Sequence, residues 1–283
     1  ATGDEYDVLI FCPQGVRPEG EGYENVFPCV YAVGHLVGNE LRGCDGGIRE
    51  VDRGFEFYAP QVFARHPSRP GPALLMGWAG NADEDDHPSV GSGGWVHTMT
   101  APRELTLRAG RLVQRPAVPL PDDAAELGLG QAPVTGRVRV SELQGCRSWH
   151  LELEAASFEA PGAAGDSGRW GLRIGEEPCC VDIDLVASAS GTQLVVDRTT
   201  SRYAAHGARR RVTLPEGVRP RLEVLHDRSI TEVLVGDGDI AFTLRSFLPP
   251  SASGATVRTD GVLRLQRARA QILERGRRPL VTR

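Results

Sequence analysis

The chain has 283 residues and a formal net charge of -5, and all 32 of its basic residues are arginine. The absence of lysine excludes Schiff-base chemistry, a phosphate-loop lysine and a lysine general base. At 40% hydrophobic and 24% charged residues the composition is that of a folded globular protein. No apolar run reaches the roughly 18 to 20 residues of a membrane helix. Arginine is scattered and not striped, so neither a membrane nor a nucleic acid is an expected partner.

Short segments of alternating polarity, separated by Gly, Pro, Asp and Asn, recur throughout and predict strands joined by turns, with little helix. Residues 7–11, 30–33 and 73–78 are compact apolar runs, the pattern of central strands covered on both faces. The composition shifts over 116–133, PAVPLPDDAAELGLGQAP, where prolines flank one stretch able to form a helical turn. The domain boundary is therefore placed there, with a first domain over 1–119, a linker over 120–133 and a second domain over 134–283. In the second domain 149–154, 181–185 and 232–235 alternate cleanly. About a dozen strand candidates recur there at the roughly 8 to 12 residue spacing of a β-sandwich. The first domain has too few strands to close a barrel or complete a propeller, whose blades need about four strands each.

The first residues include Asp4, Glu5 and Asp7 and show neither the basic start nor the apolar stretch of a signal peptide. Six cysteines, at 12, 29, 44, 146, 179 and 180, form no C-x-x-C pair. They read as reduced, buried thiols, and neither a metal nor a cofactor is expected. The acidic run 83–86 lacks the ligand spacing and glycine of a calcium loop and reads as solvated. His226, Asp227 and Ser229 have the residue types of a hydrolase triad, but neighbours on a strand point to opposite faces and cannot converge.

Six phrases point in one direction: DVLIFCPQG (7–15), PEGEGYENVFPCVYAVG (18–34), DRGFEFYAPQVF (52–63), LLMGWAG (74–80), GGWVHTMTAPRELTLRAGRLVQRP (93–116) and LEVLHDRSITEVLVGDG (222–238). In content and order they resemble glycoside hydrolase family 32, the β-fructofuranosidases that include invertases, sucrose-6-phosphate hydrolases and fructanases. The resemblance implies an all-β chain: part of a five-bladed β-propeller, about its last two blades, followed by a C-terminal β-sandwich. It also implies retaining chemistry, in which a nucleophilic carboxylate and an acid/base carboxylate stand about 5 to 5.5 Å apart. The family carries these acids and a third, transition-state-stabilising one in Asn-Asp-Pro-Asn, Glu-Cys-Pro and Arg-Asp-Pro phrases, and none of the three phrases occurs here. Phe11-Cys12-Pro13 belongs to the strand that follows the acid/base. No catalytic residue carries over, and the chain by itself is expected to be inactive.

The resemblance also implies residues that touch the sugar. Glu56 stands where the family has the Asp of an Asp-Phe-Tyr phrase at the pocket rim, and its alternative is an ion-paired strand acid. Asp52 is either a ligand contact or a turn acid bonded to nearby backbone N–H groups. Tyr58 and Trp78 match pocket-wall positions and are suited to stacking on sugar C–H faces, with core packing as the alternative. Gln61 offers both donor and acceptor to a hydroxyl, and Trp95 reads as blade packing. The implied partners are a sucrose-like or fructan sugar and either an amino-terminal propeller half or a second copy of the chain. The likeness of 18–34 to intracellular bacterial sucrose hydrolases implies a cytoplasmic location. A carbohydrate-binding or assembly role for the sandwich is the competing reading, with Trp149 and Trp170 as its aromatic candidates.

Overall fold

The computed structural model describes residues 6–18, 20–44, 46–63, 71–82, 88–89, 97–162 and 167–273. Among these there are three antiparallel sheets, two 3-10 turns and no α-helix.

The first sheet holds β1 (Asp7–Phe11), β2 (Val30–Val37), β3 (Glu40–Arg42) and β4 (Arg49–Glu50), with β2 paired to each of the others. The second holds β5 (Tyr58–Val62), β6 (Ala73–Ala79), β7 (Thr98–Met99), β8 (Arg103–Arg108) and β9 (Arg111–Pro116) in the order β5-β6-β8-β9, with β7 on β6. In β6 the period of two is visible directly, since Leu75, Gly77 and Ala79 are buried and the residues between them are half-buried. Cys29, Tyr31, Val51, Phe57, Leu75 and Leu112 form a small core shared by the two sheets. These are two propeller blades. The 7–11 run differs from its expected central place, because β1 is bonded only to β2 and Asp7 and Leu9 are exposed.

The remaining strands form the sandwich: β10 (Ala125–Glu126), β11 (Val134–Arg139), β12 (Ser148–Glu159), β13 (Gly168–Glu176), β14 (Cys179–Ser188), β15 (Gly191–Asp197), β16 (Arg209–Thr213), β17 (Arg221–Asp227), β18 (Ile230–Val235), β19 (Ile240–Arg245) and β20 (Ala255–Ile272). The 18-residue β20 joins the two layers. Its first part pairs with β13 and β11, and its later part pairs with β12, which continues to β17, β18 and β19. Between the layers lies the main core, with Trp149, Trp170, Leu172, Val196, Val224 and Phe242 all buried. The 120–133 stretch is stitched to the sandwich: β10 pairs with Ala270 and Arg269 of β20, Leu127 N–H donates to Ala268, and a 3-10 turn occupies Gly128–Gly130.

Candidate functional site

The phrase 52–57, DRGFEF, leads from the first blade into the second and lies against the sandwich. Arg53 N–H donates to Ala241 O and Phe55 N–H to Thr243 O, both at 2.8 Å, so the segment runs beside β19 like an added strand. Gly54 makes this approach possible, because a Cβ there would lie 1.9 Å from Thr243 O.

Around this contact two ionic clusters are buried. In the first, Arg103 of β8 uses all five of its N–H groups. Nη1 donates to Asp52 Oδ2 (2.9 Å) and Gln114 Oε1 (3.0 Å), Nε and Nη2 both donate to Glu232 Oε2 (3.0 and 2.7 Å), and Nη2 also donates to Thr243 Oγ1 (2.7 Å). Asp52 accepts further bonds from the Gly54 and Thr243 amides and from the Thr243 hydroxyl. Burial alone would pull the Arg103 pKa down, but Glu232 and Asp52 more than reverse it. Burial raises the pKa of Glu232, against the pull of Arg103.

In the second cluster Glu56, 0% exposed, is gripped by Arg198, with Nη1–Oε2 at 2.8 Å and Nη2–Oε1 at 2.7 Å, and it accepts the Arg245 amide at 2.7 Å. Arg198 lies over the Phe55 ring at 4.0 Å from its centroid, and Arg210 faces the same ring at 4.6 Å. Arg210 donates to Asn25 Oδ1 and to the Gly54 carbonyl, and burial lowers its pKa to about 10.

This geometry corrects two expectations. Glu56 is not at a pocket rim, and Asp52 is not a ligand contact. Both carboxylates are buried, Asp52 against Arg103 and Thr243 and Glu56 against Arg198 and the Arg245 amide, so neither is open to a sugar hydroxyl. Asp52 does bond the Gly54 amide as a turn acid, but its main partners are Arg103 and Thr243. Sequence reading missed Arg103, Arg198, Arg210 and Glu232. The only signal was an arginine or glutamate at a strand position (Arg103, Arg210, Glu232) or just after one (Arg198) whose neighbours predict burial.

The other expected positions lie on a different surface. Tyr58 and Trp78 are cross-strand partners on β5 and β6, both half-buried. Their rings continue a row: Phe27–Tyr58 centroids are 5.2 Å apart, Tyr58–Trp78 6.1 Å, and Trp78–His97 4.6 Å in an edge-to-face arrangement. Gly80 leaves the space for this last pair, since a Cβ there would lie 2.5 Å from His97 Nδ1 and 2.7 Å from Trp78 Nε1. Gln61 is exposed on β5 beyond a bulge that puts Ala59 at φ 43°. The row therefore combines apolar ring surface with an imidazole and an indole N–H, groups able to stack on a sugar ring and bond its hydroxyls. Phe27 and His97 were not foreseen. A cavity of about 410 Å³ between the first blade and the sandwich, lined by Tyr31, Glu50, Arg53, Arg111 and Asp239 among others, contains none of the expected site residues.

His226 Nδ1 pairs with Thr231 Oγ1 at 2.9 Å, and Asp227 Oδ1 accepts from Ser148 Oγ at 2.5 Å, so the triad residue types do not converge. Trp149 (0% exposed) and Trp170 (3%) lie in the sandwich core and offer no sugar platform. Of the six free cysteines only Cys29 and Cys180 are buried, and the other four are partly exposed, unlike the expected uniform burial. Trp95 and the acidic run 83–86 lie outside the described residues.

Comparison with known proteins agrees with this architecture. Residues 3–116 match the glycosyl hydrolases family 32 N-terminal domain, and residues 129–271 match the glycosyl hydrolases family 32 C-terminal domain. A sucrose-6-phosphate hydrolase from Staphylococcus xylosus is 29% identical over 259 residues, 90% of this chain and 49% of the relative. One from Bacillus subtilis (strain 168) is 40% identical over 112 residues, 39% of this chain and 22% of the relative. Among solved structures, a Bombyx mori GH32 beta-fructofuranosidase superposes with a TM-score of 0.69 at 22% identity, covering 95% of this chain and 52% of that one. Sucrose-6-phosphate hydrolase from Lactobacillus gasseri gives 0.67 at 23% identity, covering 94% and 51%. The chain thus spans about half the length of the full-coverage relatives it matches.

Proposed function

The chain belongs to glycosyl hydrolases family 32, and from that premise we propose that it is the carboxyl-terminal part of a retaining β-fructosidase acting on sucrose or a phosphorylated sucrose. The observation that carries this reading is the order of the family regions, which run through 3–116 and 129–271 while all three acid phrases are missing from the sequence. The relatives named sucrose-6-phosphate hydrolase support the substrate class, as does the Bombyx mori enzyme solved in complex with sucrose.

In this reading the two catalytic carboxylates come from outside these 283 residues. The chain contributes the wall of the sugar site through Tyr58, Trp78 and Gln61, with Phe27 and His97 extending the row. A retaining mechanism without its nucleophile and proton donor has neither a covalent intermediate nor a protonated leaving group, so the chain alone does not hydrolyse sucrose. The β1 edge and the exposed face of the first blade are where the other blades, or a second copy, would dock.

The test is fructose release from sucrose and from sucrose 6-phosphate, measured for the purified chain and for the polypeptide as its source makes it, with the intact mass of the latter. No release by the chain and turnover by a longer polypeptide are expected. Enzyme-like release by the chain alone would overturn the division of labour. A longer polypeptide inert on both sugars would overturn the substrate assignment.

A further inference from the structure

Cys12 directly follows β1 and Cys29 directly precedes β2. Phe11 is paired with Val30 at the end of that antiparallel ladder, so the next rung sets Cys12 opposite Cys29. Residues on one rung project from the same face with Cβ atoms about 4.5 to 5.5 Å apart. A disulfide needs roughly 3.5 to 4.5 Å, a small adjustment at the end of a ladder. Cys12 packs against the inter-blade core that contains Cys29, and both thiols are free.

The other four cysteines are arranged differently. Cys179 and Cys180 are successive strand residues whose side chains point to opposite faces. Cys180 Sγ lies 3.3 Å from Thr200 Oγ1, and the Cys44 thiol points at Leu41 O at 3.6 Å.

The members of the pair are unequal. Cys29 is 1% exposed, whereas Cys12 is only half-buried and can be reached from solvent. The Cys29 thiol and then a backbone hydrogen bond from Ala59 hold the Cys12 pKa down to about 7, against the effect of burial. The Cys29 thiol is pushed up, first by the Cys12 thiol and then by burial. An accessible thiolate backed by a buried, protonated thiol is the arrangement of an attacking and a resolving cysteine.

We infer that Cys12 and Cys29 form a redox-active dithiol, in which Cys12 reacts with a hydroperoxide and Cys29 closes a reversible disulfide. The Cys12 thiolate attacks one peroxide oxygen and the O–O bond breaks. The second oxygen leaves, after protonation, as an alcohol or water, and Cys12 becomes a sulfenic acid. Cys29 then gives up its proton and attacks the Cys12 sulfur; the S–S bond forms, the S–O bond breaks and water departs. The dithiol loses two electrons and the peroxide gains them. The bridge ties the ends of β1 and β2 together beside Ala59, the residue after Tyr58.

The test treats the reduced, purified chain with a small excess of hydrogen peroxide, alkylates the remaining thiols and maps the peptides by mass spectrometry. A Cys12–Cys29 linked peptide, lost on reduction with dithiothreitol, is the expected main product. In the reduced chain Cys12 should label with iodoacetamide about tenfold faster than Cys44 at neutral pH. In C29S, Cys12 should stop at a sulfenic acid that dimedone traps. In C12S, altered at the more exposed position, Cys29 should stay reduced under the same peroxide. Oxidation spread over Cys44 or Cys146 without the Cys12–Cys29 link would overturn the inference, as would Cys29 oxidation in C12S at the wild-type rate.

Discussion

Arg103 shows how one side chain can hold two domains together. It is 1% exposed and lies between Asp52 of the propeller segment and Glu232 of the sandwich. Removing one member of such a group leaves the other charges buried and uncompensated, which costs about 3 to 5 kcal/mol. Arg103→Leu is therefore expected to lower the urea stability of the chain by that amount. Arg103→Lys, which keeps the charge but not the five-donor fork, should fall between it and the parent. An Arg103→Leu variant of undiminished stability would show that the cluster contributes nothing. Sequence reading left Asp52 between a sugar contact and a turn acid, and Glu56 between a sugar contact and an ion-paired strand acid; the structure gives each the second role. Their main partners, Arg103, Thr243 and Arg198, lie 51 to 191 residues away along the chain, and no local pattern connects positions so far apart. Tyr58 and Trp78 came from the family resemblance, and adjacent antiparallel strands make them cross-strand partners.

At the scale of elements, the clean alternation of 149–154, 181–185 and 232–235 yields β12, β14 and β18, because each has one face on the sandwich core and a period of two is the direct record of that. The apolar run 7–11 misleads on position for the complementary reason: apolar content records what a strand is suited to lie against, and β1 is paired on one side only.

The same elements carry a pH response. On β17 burial lowers the pKa of His226 from 6.5 to about 4. On β12 burial would raise the pKa of Glu152, but Arg269, Arg221 and Arg267 overcome it and hold the carboxyl at about 2 instead of 4.5. Between pH 6.5 and 4 the unfolded chain binds a proton at His226 that the folded chain refuses, and between 4.5 and 2 the same holds at Glu152. Where the unfolded state binds more protons, stability rises with pH, so acidification should lower stability continuously through both windows. The His226 step is on the order of 3 kcal/mol. Urea midpoints across this range check the slope. His226→Asn, which retains a group able to bond Thr231, should flatten the upper window and leave the lower one.

For the whole molecule the two domains face opposite situations. The sandwich closes around its own core and receives the 52–57 segment along β19, with Ile272 and Leu273 at the end of β20 its exposed large apolar side chains among the described residues. The first blade is exposed: Leu9 is 51% accessible, Leu36 60% and Ile48 53%, and one edge of β1 has no partner among the described residues. An open strand edge beside uncovered apolar side chains is a pairing site for another chain. The chain on its own is therefore expected to self-associate at tens of micromolar, with sedimentation coefficients that rise with concentration. Leu9→Arg and Leu36→Glu together put charge on that face without touching the Arg103 or Arg198 clusters, and they should return the chain to a monomer of unchanged stability. A parent chain that sediments as a monomer throughout would mean that the first blade needs no covering partner. Association that survives the double substitution would place the contact elsewhere on the molecule.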